Sequence, residues 1–289
     1  TDFQVVMIIE FRIPLPITVS DFQVAQLAMV ITAQEKVTGG GEGIVVLKNE
    51  PFDNTDGHMG LSEISKTPIP KVKGQYTLKK YVLSSMCPRV LKAMMPSDSL
   101  FLWEEAWNAH PYCLTVMTNG YFSMEKFKIA IESKYLQDKG TTENALNMDA
   151  HELKKREVYF IDVAKKGSSE TLPADEDVTK YHSEKRNIGP LAPEWYKTMD
   201  PVMCCYKKVT IHFKYFGLQT IVENVVRSQE IKVFTRTMRQ LICQMDAWDG
   251  LTMEDIRRME DEAKSKLDEM INQGEKKDIM KEASAEVNN

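Results

Sequence analysis

Disulfide and metal chemistry have almost no material in this chain. Its five cysteines are Cys87, Cys113, Cys204, Cys205 and Cys243, an odd number with no C-x-x-C pair. That argues against a disulfide framework, and a reduced, intracellular compartment is the simplest reading. The histidines (His58, His110, His151, His182 and His212) are scattered without metal-ligand spacing. Neither a metal nor a cofactor is expected. Long apolar runs are missing too. The longest near the start, residues 5–9, is cut by Glu10 and Arg12, far short of the ~20 residues of a membrane span. No signal-peptide pattern leads the chain. Excess positive charge is also absent: 37 basic against 42 acidic residues leave a net charge of −5, which argues against a nucleic-acid partner. There is no G-x-S-x-G elbow, P-loop or H-E-x-x-H, and the glycine cluster at 39–43 precedes a strand rather than a helix. Catalytic residues are therefore expected to be none, and the expectation is a non-enzyme.

What is present is the material of a folded domain. Apolar residues make up 43% and aromatics 9% of 289 residues, enough to bury a sizeable core. Residues 5–16 read as a strand. Thr18 and Asp21 form a capping box for a helix over 19–36. Strand patterns recur at 44–47, 76–83, 111–118, 126–135, 157–163 and 204–216. A loop covers 49–74, and the charged, proline-bearing stretch 165–201 reads as an ordered surface excursion. The pattern predicts one long helix over 220–248. Thr252 and Asp255 start another that runs to about 272, followed by a polar tail over 273–289. Strands without helix-sized crossovers predict one antiparallel sheet with helices on one face, an α+β domain over residues 1–272.

Several polar residues fall where periodicity demands apolar ones. Lys207 shares a strand face with Val209, Ile211 and Phe213. Thr77 and Lys79 share one with Tyr81 and Leu83, and Cys113 and Thr115 with Met117. Ser133 lies on the side of Phe127, Ile129 and Ile131. On helices, Gln26 is in phase with Phe22 and Met29, and Glu260 with Ile256, Ala263 and Leu267. Singly, each fits a side chain that snorkels or flanks an apolar stripe. Together they point to an interior with an apolar body and a polar end. Burying Lys or Glu without a partner costs several kcal/mol, so a ligand with an anionic, hydroxyl-rich head and a long apolar body would suit them.

The runs Gly74-Gln75-Tyr76-Thr77, Ala106-Trp107-Asn108-Ala109-His110-Pro111-Tyr112-Cys113, Met203-Cys204-Cys205-Tyr206-Lys207 and Leu251-Thr252-Met253-Glu254-Asp255-Ile256-Arg257-Arg258-Met259-Glu260 closely resemble the phosphatidylinositol transfer proteins. So do Gly39-Gly40-Gly41-Glu42-Gly43 and Asn49-Glu50-Pro51. The matches span residues 10–270 or so. The resemblance implies a START-like helix-grip fold, a concave antiparallel sheet and long helices around one phospholipid. It also implies exchange of phosphatidylinositol for phosphatidylcholine between membranes, by a cytoplasmic monomer that visits membrane surfaces transiently. A sensor or scaffold that presents the lipid to a lipid kinase is the alternative, and an enzyme on the same cavity is the weakest reading.

By the same resemblance, Thr77, Lys79, Asn108 and Glu260 match the family's inositol-contacting residues. Gln26, Cys113, Thr115 and Lys207 match its phosphate and choline region, with Ser133 standing where Thr is usual and Glu230 nearby. Cys113 after Pro111-Tyr112 resembles the phosphatidylcholine-binding class. Tyr215 and Phe216 replace a Trp-Trp pair associated with membrane docking. Residues 88–103 suit a lid, and the 54–73 segment is longer than in the family's animal members. Ser183 sits at a regulatory serine, but the family's Ser-x-Lys-Thr-Gly-Arg-Gly-Pro-Leu reads here Ser183-Glu184-Lys185-Arg186-Asn187-Ile188-Gly189-Pro190-Leu191.

Overall fold

The structure is a computed structural model and describes residues 7–36, 43–82, 101–123, 126–167, 170–214 and 219–270. Among the described residues eight strands form one sheet: β1 (Met7–Leu15), β2 (Gly43–Asp53), β3 (Lys73–Val82), β4 (Phe101–Ala109), β5 (Tyr112–Thr118), β6 (Phe127–Leu136), β7 (Glu157–Phe160) and β8 (Met203–Phe213). Their order is β2-β3-β4-β5-β6-β8-β1-β7. Among these pairs only β1 with β7 is parallel. The helices are α1 (Val19–Lys36), α2 (Ala150–Lys155), α3 (Gln219–Cys243), α4 (Met245–Trp248) and α5 (Met253–Met270).

Local signals explain the boundaries. Thr18 N–H donates to Asp21 Oδ2 at 3.0 Å and Asp21 N–H returns to Thr18 Oγ1 at 3.0 Å. Thr252 and Asp255 repeat the arrangement at 2.8 and 3.1 Å. Both expected capping boxes therefore form. A third, Asp149 with Glu152, starts α2, a six-residue helix that the apolar periodicity left unread because it buries nothing.

The two faces of the sheet are packed differently. The inner face meets α1, α3 and α5 in the main core. Ile9, Phe11, Ile13, Val209, Ile211 and Phe213 pack there with Phe22, Phe234, Met238 and Ile256. Phe22 meets Tyr135 edge-on at 4.7 Å, and Phe11 meets Phe234 at 5.1 Å. Irregular segments cover the outer face. Residues 54–72 lie over β3, β4 and β5, where Ile69 and Val72 join Phe52, Trp107 and Val116, and Ile64 joins Leu78, Phe101 and Trp103. Within that cover Glu105 is buried and accepts from Ser62 Oγ at 2.6 Å, Ser65 N–H at 3.0 Å and Tyr76 Oη at 2.9 Å. Residues 137–156 cover β1 and β8. There Ala145, Leu146 and Met148 pack on Ile8, Cys204 and Tyr206, and Arg12 donates to the fully buried Glu10 at 2.7 Å.

Several expectations need correction. The strand at 44–47 continues through a bulge near Leu47 to Asp53, so the loop begins at 54 rather than 49. Bulges let a strand survive a break in alternation. Of the supposed lid, residues 88–100 lie outside the described residues, and Phe101, Leu102 and Trp103 open β4. The helix over 220–248 is two: Cys243 ends α3, and the chain turns at Gln244 before α4. The 165–201 excursion is irregular apart from a 3-10 turn at Trp195–Lys197, and it sends Val178, Leu191 and Trp195 into the main core. The tail over 273–289 lies outside the described residues. The α+β architecture itself is as expected.

Candidate functional site

Directly opposed residues in a ladder share a face, so register alone groups the candidate side chains. One transverse row reads Gln75–Asn108–Cys113–Ser133–Lys207–Phe11. The next reads Thr77–Ala106–Thr115–Ile131–Val209–Ile9, and a third Lys79–Glu104–Met117–Ile129–Ile211–Met7. All three are on the inner face. Every sheet residue singled out from the sequence lies in them, apart from Tyr215 and Phe216, which fall outside the described residues. Polarity is sorted along the rows. It concentrates on β3, β4 and the near ends of β5, β6 and β8, and yields to Ile, Val and Met beyond.

The β3–β4 end carries Thr77, Lys79 and Asn108, all half-buried. Lys79 Nζ lies 3.4 Å from Glu104 Oε1. Tyr81 Oη donates to Glu104 Oε2 at 2.9 Å, and burial together with that carboxylate pushes the Tyr81 phenol well up. Glu104 was not among the sequence candidates. Its signal was the alternation of Leu102, Glu104, Ala106 and Asn108 on one face of β4.

A second cluster surrounds Lys207. Its Nζ donates to Ser133 Oγ at 3.3 Å and lies 5.2 Å from the Phe234 ring and 6.0 Å from the Tyr135 ring. Burial pushes the Tyr135 phenol well up, against a smaller downward pull from Ser133 and from Gln26 of α1. Glu230 of α3 faces the same lysine. Burial lifts its carboxyl to about 7, against the pull of Lys207 downward. Gln26, Ser133, Lys207 and Glu230 are thus brought together around one buried position. Cys113 lies between the two clusters. Its sulfur is 3.8 Å from Thr115 Oγ1. Burial pushes its thiol up, and the charges of Lys207, Glu104 and Lys79 all reach it.

Glu260 is placed separately, on α5. It is half-buried in phase with the core residues Ile256 and Ala263 and accepts from Arg257 at 2.6 Å. The described contacts do not join it to Thr77, Lys79 or Asn108. Ser183 is fully buried, donates to Asp246 Oδ1 at 2.5 Å and accepts from Arg186 N–H at 3.2 Å. Its hydroxyl is part of the packing and not presented at the surface. Among the described residues no group of His, Cys, Asp and Glu is arranged to hold a metal ion, and no helix is long and apolar enough to cross a membrane.

Chemically, the inner face offers two cations, two carboxylates, hydroxyls and amides within an aliphatic surround. Donors and acceptors in that mixture suit a ring of hydroxyls and a phosphodiester.

A family model described as phosphatidylinositol transfer protein matches residues 6–265. The phosphatidylinositol transfer protein beta isoform of Mus musculus is 45% identical over 276 residues, covering 93% of this chain and 96% of its own length. Phosphatidylinositol transfer protein 2 of Dictyostelium discoideum is 44% identical over 263 residues, covering 90% and 95%. With a fold, a polar inner row and matches that run nearly end to end, the chain belongs to the phosphatidylinositol transfer protein family.

Proposed function

We propose that the protein is a phospholipid carrier that holds one phosphatidylinositol or phosphatidylcholine against the inner face of its sheet and exchanges it between membranes. The observation that carries this reading is the polar row drawn from five neighbouring strands, β3 to β6 and β8, on a face that turns aliphatic toward β6, β8 and β1 in the rows beside it. Pulling a two-chain lipid into water exposes some ~30 methylenes at ~0.8 kcal/mol each, a barrier above roughly 20 kcal/mol. An apolar face that receives the chains lowers it without covalent chemistry.

In this reading Thr77, Lys79, Asn108 and Glu260, with Glu104, meet the inositol ring. Lys207, Ser133, Thr115 and Gln26 meet the phosphodiester that both lipids share. The Glu104 carboxylate, already tied to Lys79 and Tyr81, orients the ammonium toward the ring. The protein acts as a monomer, peripheral at membranes, and releases its lipid for use by kinases there. Transfer between two vesicle populations, with mass spectrometry of lipid extracted from the purified protein, tests the reading. Thr77→Ala or Glu260→Ala should abolish phosphatidylinositol transfer and spare phosphatidylcholine. Equal loss of both would remove the ring assignment. Bound inositol lipid without any transfer would favour a sensor that presents it.

A further inference from the structure

Arg186 lies away from the inner-face rows, yet it joins α1, which carries Gln26, to the corner that leads into α5, which carries Glu260. Its guanidinium forks onto α1, with Nη1 and Nη2 each 2.9 Å from a different oxygen of Asp21. Its Nε donates to Asp249 Oδ1 at 2.5 Å, in the corner between α4 and α5. The same group lies 5.1 Å from the ring centroid of Trp248. All three charged side chains are about three-quarters buried. Paired this way, the Asp21 carboxyl is held at about 2, so the pair stays ionised throughout the neutral range. Beside it Asp246 accepts from Ser183 Oγ at 2.5 Å and from the N–H groups of Glu184 and Lys185 at 3.1 and 3.3 Å. The α4–α5 corner therefore hangs from the 183–186 segment by two aspartates, and Arg186 carries the link on to α1.

The two helices do not depend on this link equally. The start of α1 has other anchors: Val19 N–H donates to Gln137 Oε1 at 2.9 Å, and Phe22 packs on Tyr135. The start of α5 has its own capping box, packs Leu251 and Ile256 into the main core and lies along α1, and the polar links that tie its head to the rest of the fold are those of the corner. Glu260 lies seven residues into α5, ~10 Å along its axis, so a shift of the corner is transmitted to it. Gln26, one turn along α1 from Phe22, which packs on Tyr135 of the sheet, is insulated.

We propose that Arg186 is a positioning residue for head-group selection: it sets where α5 carries Glu260, and through it the preference for an inositol head over a choline head. This rests on the carrier reading above. A bidentate fork fixes direction as well as distance, which a lysine at the same position does not.

The test measures phosphatidylinositol and phosphatidylcholine transfer separately for the wild type, Arg186→Ala, Arg186→Lys, Asp249→Asn and Glu260→Gln, at a temperature below every variant's melting point. Arg186→Ala should lower phosphatidylinositol transfer about tenfold, as expected when a charge-assisted hydrogen bond is weakened. Phosphatidylcholine transfer should stay within about twofold. Arg186→Lys should fall between, and Asp249→Asn should follow Arg186→Ala. If Arg186→Ala does not fold, Asp249→Asn, which keeps the Asp21 fork, carries the comparison. Loss of both lipids in equal proportion, or of neither, would overturn the proposal if Glu260→Gln is itself selective. A Glu260→Gln variant without selectivity would overturn the ring assignment and this inference together.

Discussion

Glu230 offers the sharpest link between pH and stability. Its carboxyl titrates near 7 in the fold against 4.5 for a free glutamate. A raised value means the folded chain keeps a proton that the unfolded chain has already lost between those two pH values. Stability contributed by this group is therefore lost as pH rises from about 4.5 to 7, and is flat beyond. Two to three pH units at ~1.4 kcal/mol each give at most about 3 kcal/mol. Partial exposure reduces that to on the order of 2 kcal/mol. Glu230→Gln removes the charge at every pH. Urea unfolding of wild type and variant at pH 5 and pH 8 should give similar midpoints at pH 5 and a more stable variant at pH 8. The excess should be about 2 kcal/mol. Parallel pH profiles would refute the reasoning, because they would mean Glu230 is solvated or fully neutralised by Lys207.

Lys207→Ala should weaken transfer of both lipids together, since the phosphodiester is common to them, while the thermal melt stays near that of the wild type; loss of one lipid alone would contradict the shared-phosphate role. Glu105→Gln on the outer face places an amide donor among Ser62, Ser65 and Tyr76, which already donate there, and should cost about 2 kcal/mol in a urea melt with the lipid ratio unchanged. Gly74→Ala would drive a Cβ into the Asn108 carbonyl and should destabilise by ~2 kcal/mol while disturbing inositol transfer. The double change Tyr215→Ala with Phe216→Ala should lower vesicle binding at an unchanged melting temperature, and a large drop in that temperature would assign Phe216 to the core.

Much of this was legible in the sequence because polar residues broke an apolar period. Lys207, Ser133 and Thr115 stood out against β-strand alternation, and register then put them in adjacent rows. Glu104 was missed because β4 reads Phe-Leu-Trp-Glu-Glu-Ala-Trp. With one face buried under the 54–72 segment and the other carrying Glu104 and Asn108 among the polar inner rows, neither face is uniformly apolar. The lid expectation borrowed the first residues of that strand for the same reason. The α3–α4 break was hidden because both pieces keep the helical period across Gln244. The change from Thr to Arg at position 186 was visible as a departure from the family motif. Its partners were not, since Asp21 and Asp249 lie 165 and 63 residues away in the chain.

The covering of the outer face has an evolutionary reading. Over β3, β4 and β5, Leu78, Trp103, Trp107 and Val116 are buried beneath the 54–72 segment, and alternation sends Thr77, Lys79, Glu104, Asn108 and Thr115 the other way. Because consecutive residues of one strand answer to different constraints, a substitution on the inner face leaves the neighbouring stabilising side chain of the outer face in place. The inner face can therefore change its chemistry through single replacements, without compensating changes in the scaffold beneath the 54–72 segment.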